Sequence, residues 1–313
     1  MNVLTELGWM LTDPFMQRAL LAALLVGAGA PVVGTYLVQR RLALLGDGIG
    51  HVALTGVALG WLIGAALGIA PDALAVPGAV VAAVVGALAI ELVRRRGRTS
   101  GDLALAIMFY GGIAGGVLLI GLAGGSNGNL MQYLFGSIST VSGTDLVLTV
   151  VLSALILVVG IGLRAALFSV SHDEDFAVAS GLPVWLLNAL VAVVSALTVT
   201  VAMRVVGLLL VSALMIVPVA VAQQLTHSFA RTMGTASVIG VVVCVTGLSI
   251  TYFQDVSPGA TIVVLAIAVY AVVAAVRPLV ARRGPAGDPH PDLPDDVELP
   301  PGERAGTDQE VCT

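Results

Sequence analysis

Apolar residues dominate this chain in long runs, with polar residues confined to short gaps between them. The runs read as 19–39, 44–69, 75–93, 103–124, 146–168, 184–202, 205–225, 236–253 and 260–280. A helix needs about 20 apolar residues to cross a bilayer's hydrocarbon. The pattern therefore predicts an all-α, polytopic helical membrane protein with about eight to nine transmembrane helices. The stretch 126–145 is Gly-rich and only half apolar, and reads as a loop or a short re-entrant piece.

Composition agrees: 58% of residues are hydrophobic and 11% charged, against roughly 25% charged in a soluble domain. The net charge of -5 is misleading, because eight acids (Asp288, Asp292, Asp295, Asp296, Glu298, Glu303, Asp308 and Glu310) fall after residue 283. The chain thus divides into a transmembrane domain, 1–283, and a Pro-, Gly- and acid-rich tail, 284–313. That tail has too little apolar surface to offset the entropy of ordering, and is expected to be disordered. The start of the chain, with Glu6, Asp13 and Arg18, lacks the basic opening and short apolar core of a cleavable signal.

The arginines orient the runs. Arg40 and Arg41 follow the first, Arg94, Arg95, Arg96 and Arg98 the third, Arg164 the fifth, Arg231 the seventh, and Arg277, Arg282 and Arg283 the ninth. Arg204 is the exception. Positive charge after every odd run predicts an outer N-terminus and a cytoplasmic C-terminus.

All 14 basic residues are arginine. Without lysine there is no G-x-x-x-x-G-K-[ST] phosphate loop, so this chain has no ATP site of that kind. No H-E-x-x-H zinc motif occurs, and Ser212 lacks the Gly-flanked elbow of a serine hydrolase. The chain does not read as an enzyme.

Asp47 and His51 are the chemistry inside the greasy part. Counted past Arg41, they lie roughly 9 Å and 15 Å along a helix at 1.5 Å per residue. Their i, i+4 spacing puts both on one face. An ionisable group in a crossing costs about 3 kcal/mol unless it is paired or faces water, so the pair should face the bundle interior. Three readings are open: a structural hydrogen-bonded pair, a proton relay, or part of a divalent-metal ligand set. Two ligands do not close a metal site, whereas two copies of the chain would supply four. Of the histidines at 51, 172, 227 and 290, only His51 sits mid-crossing.

Two further stretches stand out. In "SVSHDEDFAVASGLPVWLLNAL" (169–190), Asp173, Glu174 and Asp175 open a short Ala/Val helix that stops at Gly181. Phe176 is an apolar knob on it, as on a docking surface for a soluble partner, and His172 reads as a solvated loop histidine. In "RVVGLLLVSALMIVPVAVAQQL" (204–225), Pro218 interrupts a long apolar helix.

Five stretches in order resemble the membrane permease of metal-type ABC importers, the ABC-3 family. They are "PFMQRALLAALLVG", "QRRLALLGDGIGHVALTGVALG", "MQYLFGSIS", "DEDFAVASGLP" and "RVVGLLLVSALMIVPVAVAQQL". The resemblance runs from about Pro14 to Val280. It implies a permease dimer, homo- or heteromeric, that carries zinc, manganese or iron(II). It implies a separate ABC ATPase subunit docked on a coupling helix at about 172–183, with His172, Asp173, Glu174, Asp175, Phe176, Ala177, Ala179, Gly181 and Leu182 in the segment. It implies delivery by an extracytoplasmic metal-binding protein, a prokaryotic plasma-membrane location, no permanently bound cofactor and no nucleic-acid partner. Asp47 and His51 match the family's signature residues on the translocation path. Gly50 stands where the family usually has Ser, and "GDLALAIMFYGG" (101–112) matches only loosely. A proton-coupled secondary carrier using the same pair as a relay is the alternative.

Overall fold

The computed structural model describes residues 9–10, 12–96, 101–124, 131, 133–136, 143–203, 206–254 and 256–281. Regular structure among them is entirely helical. The helices are α1 (Pro14–Gln39), α2 (Leu45–Leu67), α3 (Pro71–Arg96), α4 (Gly101–Leu122), α5 (Gly143–Gly162), α6 (Arg164–His172), α7 (Glu174–Ala179), α8 (Val184–Ala202), α9 (Leu208–Leu225), α10 (Phe229–Phe253) and α11 (Pro258–Ala281). Each of the nine apolar runs contains helix among the described residues.

Seven of these (α1, α2, α3, α4, α8, α10 and α11) contain stretches long and apolar enough to cross a membrane. An eighth crossing is possible through α5 and α6, which meet at a 68° bend. The run 146–168 is therefore not one straight span: it breaks at Leu163, directly before Arg164. α6 then buries Leu167 and Val170 on one side. The apolar part of α9, Leu210–Leu225, is shorter than a usual crossing.

Local chemistry sets the ends. Asp13 caps α1 by accepting from the Phe15 N–H at 2.9 Å, with Pro14 in the first turn. Gly68 ends α2 at φ 66°, a left-handed value that side-chain-bearing residues avoid. α1 forms the centre: 72% of its apolar window is buried within the chain, against 22% for α4 and α11. α10, α9, α5 and α8 pack around α1, while α2 lies between α3 and α4.

Two expectations need correction. α2 begins only at Leu45, after a turn at 40–44, so Asp47 lies in its first turn rather than deep along a helix counted from Arg41. A carboxylate there meets the positive end of the helix dipole. Pro218 does not break its helix, because α9 continues from Leu208 to Leu225 through it. One missing N–H removes one rung, and the surrounding helices hold the rest. α9 starts only after Gly207, φ 85°. A Cβ there would strike the backbone of Leu134, Phe135 and Gly136. Phe135 also accepts a 3.2 Å hydrogen bond from Ser257 Oγ. Residues 134–136 are thus wedged between the starts of α9 and α11.

The compact unit spans Met1–Ala274, and Ala275–Thr313 forms a second. The tail expected at 284–313 lies outside the described residues.

Candidate functional site

α2 brings Asp47 and His51 onto one face, with His51 Nε2 3.8 Å from Asp47 Oδ1. That is too long for a hydrogen bond. Asp47 Oδ1 instead accepts from Ser212 Oγ of α9 at 3.3 Å. His51 Nδ1 is buried without a partner among the described residues. The imidazole is thus held beside the carboxylate without a hydrogen bond to it, and its Nδ1 is uncommitted. A buried polar group of this kind needs an explanation, and a lone pair kept for a ligand supplies one.

The two groups differ in access. Asp47's side chain is 26% exposed and His51's 4%. Asp47 lines a pocket of about 350 Å³ with Leu44, Gly48, Leu105, Ala106, Phe109 and Tyr110. His51 does not line it. The Phe109 ring stands edge-on to the imidazole, centroids 4.3 Å apart at 77°. Phe109 therefore screens His51 from the pocket that Asp47 faces.

Small residues make this closeness possible. A Cβ on Gly112 of α4 would lie 2.6 Å from the His51 carbonyl carbon. Thr55 Oγ1 donates to the Gly112 carbonyl at 2.8 Å, fixing α4 on α2 one turn above His51. At Gly50 a Cβ would meet Leu208 O and Val199 Cγ1 at 3.7 Å, ordinary contact distances. The glycine in place of serine is therefore not required by packing.

Phe109 and Ser212 are the parts of this site that sequence reasoning missed. Ser212 is 165 positions from Asp47. Phe109 lies in the loosely matching 101–112 stretch, where the aromatic pair Phe109–Tyr110 three residues before Gly112 was the available signal. Among the described residues no three His, Cys, Asp or Glu side chains come together to hold a metal ion.

The stretch 172–182 is separate from this pocket. Asp173 caps α7, accepting from the Phe176 N–H at 2.9 Å. Glu174 and Asp175 form the first turn, Ala177 is buried, and Ala179 is the last helical residue. Gly181 follows at φ 76°, and Leu182 packs back on the core. Phe176 is 62% exposed. His172 is exposed, but it ends α6 rather than lying in a loop: its ring stacks on Phe168, and Nδ1 is 3.2 Å from Gln39 Nε2. Just outside α1, burial foremost and then Arg94 push the Arg40 guanidinium below its ordinary pKa, opposed by Glu91 and Glu174.

Comparison with known proteins bears on the whole bundle. The model of the ABC 3 transport family matches residues 12–277. The manganese transport system membrane protein MntC of Halalkalibacterium halodurans is 34% identical over 263 residues, covering 84% of this chain and 87% of that protein. The chelated iron transport system membrane protein YfeD of Yersinia pestis is 31% identical over 252 residues, 80% of this chain and 82% of that one. Among solved structures, PsaBC from Streptococcus pneumoniae in complex with Fab superposes at TM-score 0.76, with 31% identity over 87% of this chain and 95% of that chain. With the family match running from before α1 into α11, the chain belongs to the ABC 3 transport family, as a membrane permease subunit.

Proposed function

We propose that this permease imports a divalent transition metal, and that Asp47 and His51 ligate the ion in transit. The observation that carries this reading is the uncommitted imidazole of His51 beside a carboxylate that opens to a pocket. Carboxylate and imidazole together suit manganese, iron(II) or zinc. The names of the relatives, manganese and chelated iron, favour the first two. Two ligands per chain bind weakly enough for release, as a path requires. A second copy across the exposed side of α4, where Ile107 and Tyr110 are 63% and 70% exposed, brings the count to four. Import is driven by a separate ABC ATPase subunit docked on α7, and the ion arrives from an extracytoplasmic binding protein. The C-terminus then lies in the cytoplasm, as the arginine pattern requires.

The test is uptake of zinc, manganese and iron(II), offered separately, by cells expressing this chain with its ATPase and binding protein. ATP-dependent accumulation of at least one metal is expected. Uptake that persists without the ATPase and follows the proton gradient would replace this reading with the secondary carrier.

Two smaller effects follow. Phe176→Glu removes an exposed apolar anchor worth about 2 kcal/mol at an interface, or roughly 30-fold in affinity. Co-purification of the ATPase subunit should fall accordingly, with permease abundance unchanged. Ser212→Ala removes one long hydrogen bond, about 1 kcal/mol or less. The metal concentration for half-maximal uptake should rise by less than about tenfold. A loss as deep as that of Asp47→Ala would place Ser212 among the ligands.

A further inference from the structure

Among the described residues, α7 is anchored to the rest of the bundle by one side-chain hydrogen bond in addition to apolar contacts. Asn188 Nδ2, in α8, donates to Glu174 Oε1 at 2.9 Å. Asn188 is 4% exposed, and its Oδ1 is buried without a partner among the described residues. An amide buried with half its capacity unused costs more than an apolar residue of the same size. Its presence calls for a role that leucine could not fill.

Its surroundings show what it joins. Glu174, Asn188 and Trp185 line a pocket of about 360 Å³ with Glu91, Arg94 and Arg95 from the end of α3. Glu91 pairs with Arg94 at 3.0 Å, and the Arg95 guanidinium lies 5.7 Å from the centre of the Trp185 ring. The first turn of α7 therefore has open space beside it and one directional bond holding it. About 16 Å further along α8, at 1.5 Å per residue, Val199 Cγ1 lies 3.7 Å from the position of a Cβ on Gly50. Gly50 directly precedes His51. α8 is thus one continuous helix that touches the docking segment near one end and the metal-pair helix near the other.

We propose that Asn188 is a positioning residue that couples movement of α7 to α8, and through Val199 and Gly50 to the helix carrying Asp47 and His51. This rests on the permease reading above. Asn188 is too buried to touch the ATPase itself. The hydrogen bond supplies what apolar packing lacks: it fails when α7 shifts by about 1 Å relative to α8, so it transmits direction as well as contact. Contiguity alone does not prove coupling, so the test must measure it.

The experiment uses proteoliposomes containing the permease with its ATPase subunit, supplied with the metal-loaded binding protein, and reads ATP hydrolysed per metal ion imported. Asn188→Asp opposes two carboxylates, and Asn188→Ala removes the donor. Glu174→Gln combined with Asn188→Asp exchanges amide and carboxylate while keeping both side-chain lengths. In each Asn188 single variant uptake should fall about tenfold while hydrolysis stays within about threefold, a coupling loss of ordinary size. The double variant should recover uptake to within about threefold of the wild type, the signature of a direct pair. A double variant no better than Asn188→Asp, or uptake and hydrolysis falling in proportion in both single variants, overturns the proposal. Failure of the wild type itself to import metal or hydrolyse ATP with its ATPase and binding protein overturns the permease reading, which is a separate result.

Discussion

His51→Ala and Asp47→Ala are each expected to reduce metal uptake on the order of 100-fold at equal membrane abundance, the upper range for disturbing a metal's ligand environment. The two groups are the only ligand pair that α2 presents, and each is held in place by a neighbouring helix. Ser212 of α9 steadies the carboxylate, and Phe109 of α4 stands against the imidazole. Asp47→Asn separates the possible roles. It keeps the shape and an acceptor for Ser212 but removes the charge. A structural pair tolerates that change, whereas a ligand for a divalent cation does not. Uptake should therefore fall in Asp47→Asn nearly as far as in Asp47→Ala. The measurement is initial-rate uptake of manganese, iron(II) and zinc, each against a quantified membrane fraction. Unchanged uptake in both alanine variants would make the pair structural and leave the path elsewhere.

Gly56→Val is expected to prevent accumulation of folded protein. α2 and α3 cross with their backbones in contact here. A Cβ on Gly56 would lie 2.6 Å from Ala82 Cβ and 2.8 Å from the Gly78 carbonyl carbon. The contact is reciprocal, since a Cβ on Gly78 would lie 3.3 Å from the Gly56 carbonyl carbon. Neither helix has a flexible side chain at this point that could give way. Overpacking a core costs about 1–3 kcal/mol when side chains can adjust, and more when backbones must separate. In a membrane, such small-residue contacts supply much of the force between helices, because the lipid is as apolar as the interior. Gly234→Ala in α10 is the control: nothing lies within 4 Å of its Cβ. It should be neutral or stabilising by up to about 1 kcal/mol, because alanine favours the helix. Detergent-solubilised melting and membrane abundance read both variants. A Gly56→Val protein that melts like the wild type would show that the α2–α3 contact is not needed for stability.

Much of this protein is determined by sequence alone, because the bilayer imposes a local rule. Every backbone polar group in hydrocarbon must be satisfied within its own segment. Long apolar runs therefore become helices wherever the tertiary structure places them, and each of the nine runs contains helix among the described residues. The shared face of Asp47 and His51 is equally local, since four residues are one turn of one helix. The acidic start and glycine end of the stretch at 173–181 specify α7 for the same reason.

Tertiary structure decides what depends on neighbours distant in the chain. Pro218 carries the local signal for a break, yet α9 passes through it and starts only after Gly207, where the backbone at 134–136 presses in. The run 146–168 is apolar throughout, yet it bends by 68° before Arg164. Phe109 over His51, Ser212 on Asp47 and Asn188 on Glu174 bring different helices together, and no periodicity along one helix contains them. In water, an apolar stripe marks the face that will be buried. In a membrane, lipid and protein interior are alike in polarity, so composition reveals the helices while only close packing and the few polar contacts decide which faces meet.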